Sequence, residues 1–213
     1  VPANSQGLDV AEQLINTLER GPVEELLGEV TQVGQPGYAA RSNGYAMLGN
    51  LTDGALAGTG VMAFVPVPVA QGDVISKISL PVGATAGATI THQFVALYSG
   101  GATLAASALL AQSTDTTNAA INASGVATWT LANPVTITAQ NAPKGFVYAG
   151  IMVAATTVPT GATTATPSGV NYQWFTGGPA MIAGTVGTGL TATAPATLSG
   201  GAAKAAAPIL ILT

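Results

Sequence analysis

The sequence predicts an all-β fold: an eight-stranded, jelly-roll-like β-sandwich over residues 61–213, preceded by an N-terminal helical segment (1–30) and an extended arm (31–60). Three observations predict it. From residue 61 onward, short apolar runs alternate with turn signals bearing Gly, Pro and Asn, the spacing of all-β domains. Charge is lopsided, because residues 1–30 hold six of the nine acids (Asp9, Glu12, Glu19, Glu24, Glu25, Glu29) and all later positions hold only Asp53, Asp73 and Asp115. The chain is 48% hydrophobic and has no cysteine, so its core needs neither disulfides nor a thiolate-bound metal.

The helical reading of residues 1–30 rests on Leu8, Ala11, Leu14, Ile15 and Leu18, which recur every three or four residues and so share one helix face. Asn4 or Ser5 serves as the cap, Gly21 stops the helix, and Pro22 opens a second short turn, "PVEELLGEV", with acids in its first turn and Leu26 and Leu27 to bury. Helices this short form no core alone. Leu14, Ile15, Leu18, Leu26 and Leu27 are therefore read as anchor contacts, docking on the same subunit, a sister subunit or a different protein. Residues 31–60 show neither period and are punctuated by glycine, as an arm reaching outward would be.

The strands follow in order. "VMAFVPVPV" (61–69) is extended, and Pro66 and Pro68, which cannot donate to a ladder, assign it to an edge. "DVISKISLPV" (73–82) alternates. "ATITHQFVALYS" (88–99) and "TLAASALLAQS" (103–113) flank Ser99-Gly100-Gly101, read as a hairpin whose glycines accept positive φ. "GVATWTLANPVTIT" (125–138), "GFVYAGIMVAATT" (145–157), "AMIAGTVGTGL" (180–190) and "APILILT" (207–213) complete the set of about eight, the number of a jelly roll.

Only 7% of residues are charged, against about 25% in a typical soluble domain. The surface must be built from Thr, Ser, Asn, Gln, Gly and Ala, and little charge has to be desolvated when such a surface packs against a neighbour. Obligate oligomers and shell-forming proteins suit this composition. Net charge is −4, and five scattered basic residues make no phosphate-tracking stripe, so nucleic acid is not an expected partner. No membrane span is expected either: the charge-free stretch from Lys144 to Lys204 is broken by Gly161, Pro167, Gly177, Gly178 and Pro179. The opening "VPANSQGLDVAEQ" has no basic n-region and no apolar h-region, so no secretory signal is expected there.

Little in the chain suits catalysis. His92 is the single histidine, and strand period puts it with Phe94, Ala96 and Tyr98 on one face, opposite Gln93, Val95 and Leu97. A catalytic imidazole needs an orienting carboxylate and a nucleophile, and Asp73 and Asp115 are the only acids nearby, at undiagnostic spacing. A metal would need further His or Glu ligands that the β-region lacks. Glu24 and Glu25 are adjacent and point apart on a helix, and "GTVGTG" (184–189) lacks the strand–helix context of a dinucleotide loop. No enzyme activity, cofactor or metal site is expected, and His92 is read as a strand residue. The one stretch resembling a recognition surface is "VNYQWFTGG" (170–178), where Tyr172, Trp174 and Phe175 either plug one end of the fold or oligomer, or contact a ligand or partner.

The runs "HQFVALYSGGATLAASALLAQSTD", "GVATWTLANPVTIT" and "GFVYAGIMVAATTVPT", with the closing "APILILT", resemble a β-sandwich domain that recurs in virion proteins of tailed bacteriophages, especially those of actinobacteria. There it occurs in minor tail proteins, fibres and capsid-associated accessory proteins. The resemblance spans roughly residues 61–213 and carries packing motifs, with no catalytic residue among them. It implies a structural protein at the virion surface, commonly trimeric, whose partners are its own copies and other virion proteins such as the major capsid protein. A helical segment and an arm, in place of a long shaft, suit a capsid decoration or minor capsid protein. The alternative is a minor tail or fibre protein that binds a carbohydrate or receptor, such as a host surface glycan, through Tyr172, Trp174 and Phe175.

Overall fold

A computed structural model describes residues 41–42, 51–165 and 183–213. In these the chain forms thirteen strands: β1 (Arg41–Ser42), β2 (Thr52–Ala55), β3 (Met62–Pro68), β4 (Val74–Pro81), β5 (Ala88–Tyr98), β6 (Leu109–Gln112), β7 (Val126–Thr136), β8 (Phe146–Thr157), β9 (Thr160–Ala165), β10 (Gly184–Val186), β11 (Ala202–Ala203), β12 (Ala206–Pro208) and β13 (Ile211–Leu212). A single 3-10 turn, Leu104–Ala106, interrupts the described strands.

The fold is all-β, but it is not the eight-stranded jelly-roll-like sandwich expected from the sequence. The strands make three separate antiparallel sheets, none closed into a barrel or sandwich: four strands in the order β1-β13-β4-β7, six in the order β11-β10-β3-β8-β5-β6, and three in the order β12-β9-β2. The described residues contain no long helix, and the helical segment expected over residues 1–30 lies outside them. Two of the strands, β1 and β2, fall within the stretch 31–60 read as an arm. Every sheet takes at least one strand from the stretch 184–212.

The physical reason for the departure is that the six-stranded sheet is buried on both faces. In β8, Val147, Ala149, Ile151 and Val153 face one core cluster while Phe146, Tyr148 and Met152 face another. The first cluster continues into Ile75, Ile78 and Leu80 of β4, Trp129 and Leu131 of β7, and Leu212 of β13. The second includes Val186 of β10 and is covered by Ala194 and Leu198, with Leu190 packed beside them, from the strandless stretch between β10 and β11. A near-continuous apolar run such as "FVYAGIMV" is the signature of a strand covered on both sides.

Local departures have local causes. β3 is internal, yet β10 pairs only with Met62–Phe64, so Pro66 and Pro68 lie along the part of that side which β10 leaves uncovered. In β5 the register to β8 shifts between Ile90 and His92. That bulge reverses the alternation and lets Ile90 share the first cluster with Val95 and Leu97. Gly100 and Gly101 are not among the positive-φ glycines, so the corner after β5 is no primed hairpin turn. They are instead sites of close backbone approach, to Phe146 and Ala106. The closing "APILILT" is divided, with its Ala207 and Pro208 in β12 and its Ile211 and Leu212 in β13.

Tyr98, at the end of β5, is fully buried and donates its hydroxyl to the Pro195 carbonyl at 2.9 Å. Burial pushes the phenol's pKa above its ordinary value. The unfolded chain ionises this group near pH 10 and the folded chain does so later, so stability is intact below about pH 10 and falls as pH rises above it. Denaturant melts at increasing alkaline pH are expected to show this loss. Tyr98→Phe is expected to flatten it, at a constant cost of about 1 kcal/mol for the missing hydrogen bond.

Candidate functional site

The residues expected to carry function from the sequence, the anchor set Leu14, Ile15, Leu18, Leu26 and Leu27 and the aromatic set Tyr172, Trp174 and Phe175, all lie outside the described residues. What the structure does bring together is centred on β5 and the loop that follows β6.

His92 and Asp115 meet. Their spacing in the chain gives no hint of it, but Asp115 leaves the end of β6 and folds back beside β5, placing its Oδ2 2.6 Å from His92 Nδ1. Its Oδ1 accepts the Gln93 N–H at 3.0 Å. One carboxylate thus holds the imidazole and the strand backbone together, and a carboxylate beside Nδ1 makes that nitrogen the donor. This is the orienting half of a catalytic triad. The other half is missing among the described residues, since no Ser or Thr is hydrogen-bonded to the imidazole and no three metal-ligating side chains converge.

The other two acids of the β-region are employed in the same way. Asp53 accepts the Ala84 N–H at 3.0 Å and Asp73 accepts the Ala70 N–H at 2.8 Å. Asp53 and Asp115 thus tie a loop to a strand through a main-chain amide, and Asp73 closes the turn between β3 and β4.

Beside the His92–Asp115 pair, on the opposite face of β5, a cleft of about 490 Å³ opens between β5, the loop 113–121 and the first half of β7. Gln93 and Trp129 line it, with Ser113, Thr114, Thr116 and Thr130 supplying hydroxyls. β7 is the outer strand of the four-stranded sheet. Gly125 accepts from Val82 on the β4 side, so by antiparallel alternation the main-chain groups of Val126, Thr128 and Thr130 point away from β4. An isolated bridge between Ser113 and Leu131 closes this side of β7 just beyond the cleft.

Gln93 is the unusual member. It is 1% exposed, on the apolar face of β5 with Val95 and Leu97. Its Nε2 donates to the Ala119 carbonyl at 2.8 Å, which fixes the amide's orientation, because the reversed amide would set two oxygens against each other. Its Oε1 is buried and has no hydrogen-bond partner among the described residues.

No protein-family model matches the chain, and no curated protein matches it. The site's signal was present in the sequence: a glutamine in register with Val95 and Leu97 on an inward face is a polar group that must find a partner. The His92–Asp115 contact had no such signal, because loop geometry alone creates it.

Proposed function

We propose that this chain is a non-enzymatic structural protein of a bacteriophage particle, which it decorates or reinforces as a symmetric oligomer, packing against its own copies and a neighbour such as the major capsid protein. The observation that carries this reading is the use made of the acids. Asp53, Asp73 and Asp115 each accept a main-chain amide, and with so few acids in the β-region the exterior is rich in Thr, Ala, Ser and Gly, with little charge to strip of water on contact. Leu51, Val74 and Val126 stand 57%, 56% and 67% exposed on it, apolar side chains suited to burial between subunits. The likeness of residues 61–213 to virion accessory domains supplies the setting.

The test is the composition of purified particles. The full chain is expected in fixed stoichiometry with the major capsid protein, at symmetric positions visible in averaged particle images, and removal of residues 1–30 is expected to abolish its incorporation while leaving a folded β-region. Particles that lack the chain, or carry it in no fixed ratio, would overturn the proposal.

A further inference from the structure

We infer that the cleft between β7 and the loop 113–121 is a slot one strand wide, filled by residues 31–35 of a second copy of this chain, which add a strand to the free edge of β7. This rests on the oligomer proposed above and is independent of the particle.

Unpaired main-chain groups define the edge. Val126 and Thr128 line the cleft and turn their N–H and C=O groups away from β4. On that side neither has a main-chain partner among the described residues. The two stand about 6.6 Å apart along the strand, which is the repeat of the donors and acceptors on an adjoining strand. Another extended main chain is the natural complement to such a row. The stretch 126–130, "VATWT", also has none of the devices that blunt an exposed edge. It holds no charge and no proline, and its pairing with β4 is regular from Val126 to Thr130.

The opposite wall limits what fits. The loop 113–121 runs along β5, where the N–H groups of Ser113, Thr116 and Asn118 donate to the Val95, Gln93 and Ile90 carbonyls. β7 meets this loop at the Ser113–Leu131 bridge and parts from it toward Val126, which opens the cleft. An extended residue with its side chain fills about 160 Å³, the product of strand rise, strand spacing and sheet spacing. A cleft of about 490 Å³ therefore takes about three such residues, enough to lie along both Val126 and Thr128. The walled slot admits a single strand and excludes the edge of a second whole sheet, so β7 of another copy is not the occupant.

The lining contains no Asp, Glu, Lys, Arg or His, and a charged segment would enter without a countercharge and lose its hydration. Residues 31–40, which lead into β1, carry no charge between Glu29 and Arg41. Within them Pro36, which cannot donate to a ladder, bounds the run "TQVGQ" at 31–35. β1 and β7 are the two outer strands of one sheet, three strand spacings or about 14 Å apart. A chain entering at Arg41 thus starts on the edge remote from its own slot. The direct way back crosses the face that carries the exposed Lys77, Thr128 and Thr130. A copy placed edge to edge is met without that crossing, since residues 36–40 reach about 17 Å when extended. Repeated head to tail, the exchange generates a ring when the rotation closes.

Disulfide trapping gives a direct test, because the chain has no cysteine of its own. Full-length double variants join Val126→Cys, at an exposed position, to Thr31→Cys, Val33→Cys or Gln35→Cys. Opposed Cα atoms on paired strands stand about 4.5–5.5 Å apart, within reach of a disulfide. Under oxidation at least one double variant is expected to run as disulfide-linked dimers and larger species on a non-reducing gel, and every single variant as a monomer. Adding Thr128→Pro is expected to abolish the link while circular dichroism stays that of the parent, because the N–H it removes faces the slot and not β4. Should Thr128→Pro not fold, Gln32→Glu with Gly34→Glu charges the arm, leaves β7 unchanged, and is likewise expected to lose the link. Light scattering on the unoxidised chain reads the oligomer separately. A monomer overturns the oligomer and the filled slot together, whereas an oligomer in which no double variant links overturns the slot alone. The inference is also overturned by a link formed within one chain, or by dimers of Val126→Cys alone, which report β7 paired with β7. An unchanged link in a folded Thr128→Pro, or in the charged arm, overturns it too.

Discussion

Tyr148→Ala is expected to remove about 3–5 kcal/mol of stability, the range for deleting a fully buried aromatic side chain. Tyr148 sits in β8, with β3 on one side and β5 on the other, and is 0% exposed. Its ring meets Phe64 edge-on at 5.7 Å and 88°, and Phe146 at 5.3 Å and 82°. Edge-to-face pairs of this kind contribute about 0.5–1.5 kcal/mol each beyond the area they bury. Both are lost together on truncation, and the hole opens in the middle of a double-covered sheet, where neighbouring strands hold the backbone and collapse is limited. A single domain is commonly stable by only about 5–15 kcal/mol, so this one change removes a large share. Urea melts of the variant and of Tyr148→Phe, which keeps both ring contacts, check the prediction. A Tyr148→Ala midpoint no lower than that of Tyr148→Phe would refute it.

Gly100→Ala is expected to lose about 3 kcal/mol, the upper part of the range for overpacking. At roughly 2–4 °C per kcal/mol for a chain of this size, thermal melting falls by about 6–12 °C. The cause is backbone against backbone: a methyl group on Gly100 falls on the Phe146 carbonyl oxygen and also meets that residue's ring. Phe146 pairs with Pro68 of β3 and cannot retreat without disturbing the ladder. Gly100 itself is held by its N–H to the Asn141 carbonyl at 2.8 Å. Gly125→Ala is the matched comparison. There the nearest atoms to an added methyl are at 3.6 and 4.0 Å, so differential scanning calorimetry should find it near neutral. Equal melting temperatures for the two variants would rule the mechanism out.

Individual strands were legible in the sequence. The runs 61–69, 73–82, 88–99, 125–138 and 145–157 become β3, β4, β5, β7 and β8 with ends moved by at most two residues. Alternation also placed Phe94, Ala96 and Tyr98 opposite Val95 and Leu97, and the two sets enter different core clusters. What periodicity cannot express is which strand lies beside which. The partition into three sheets depends on pairings such as β1 with β13 and β2 with β9, between residues more than a hundred positions apart. The cover over the second face of the six-stranded sheet was equally invisible, because Ala194 and Leu198 stand in an irregular stretch with no repeat to detect. At the site, Gln93 was legible as a polar residue on an apolar face, whereas its neighbour Asp115 reached His92 only through the path of a loop.

The contribution of residues 184–212 to all three sheets sets the order of events at birth. A ribosome releases the chain from its N-terminal end, so β3, β4 and β9 wait, each with one flank open, until β10, β13 and β12 emerge. No sheet can be finished until residues 184–212 have emerged. The many distant pairings place its folding among the slow all-β proteins, in the millisecond-to-second range or beyond. During that interval the unfinished edges are open to the same edges on neighbouring nascent chains.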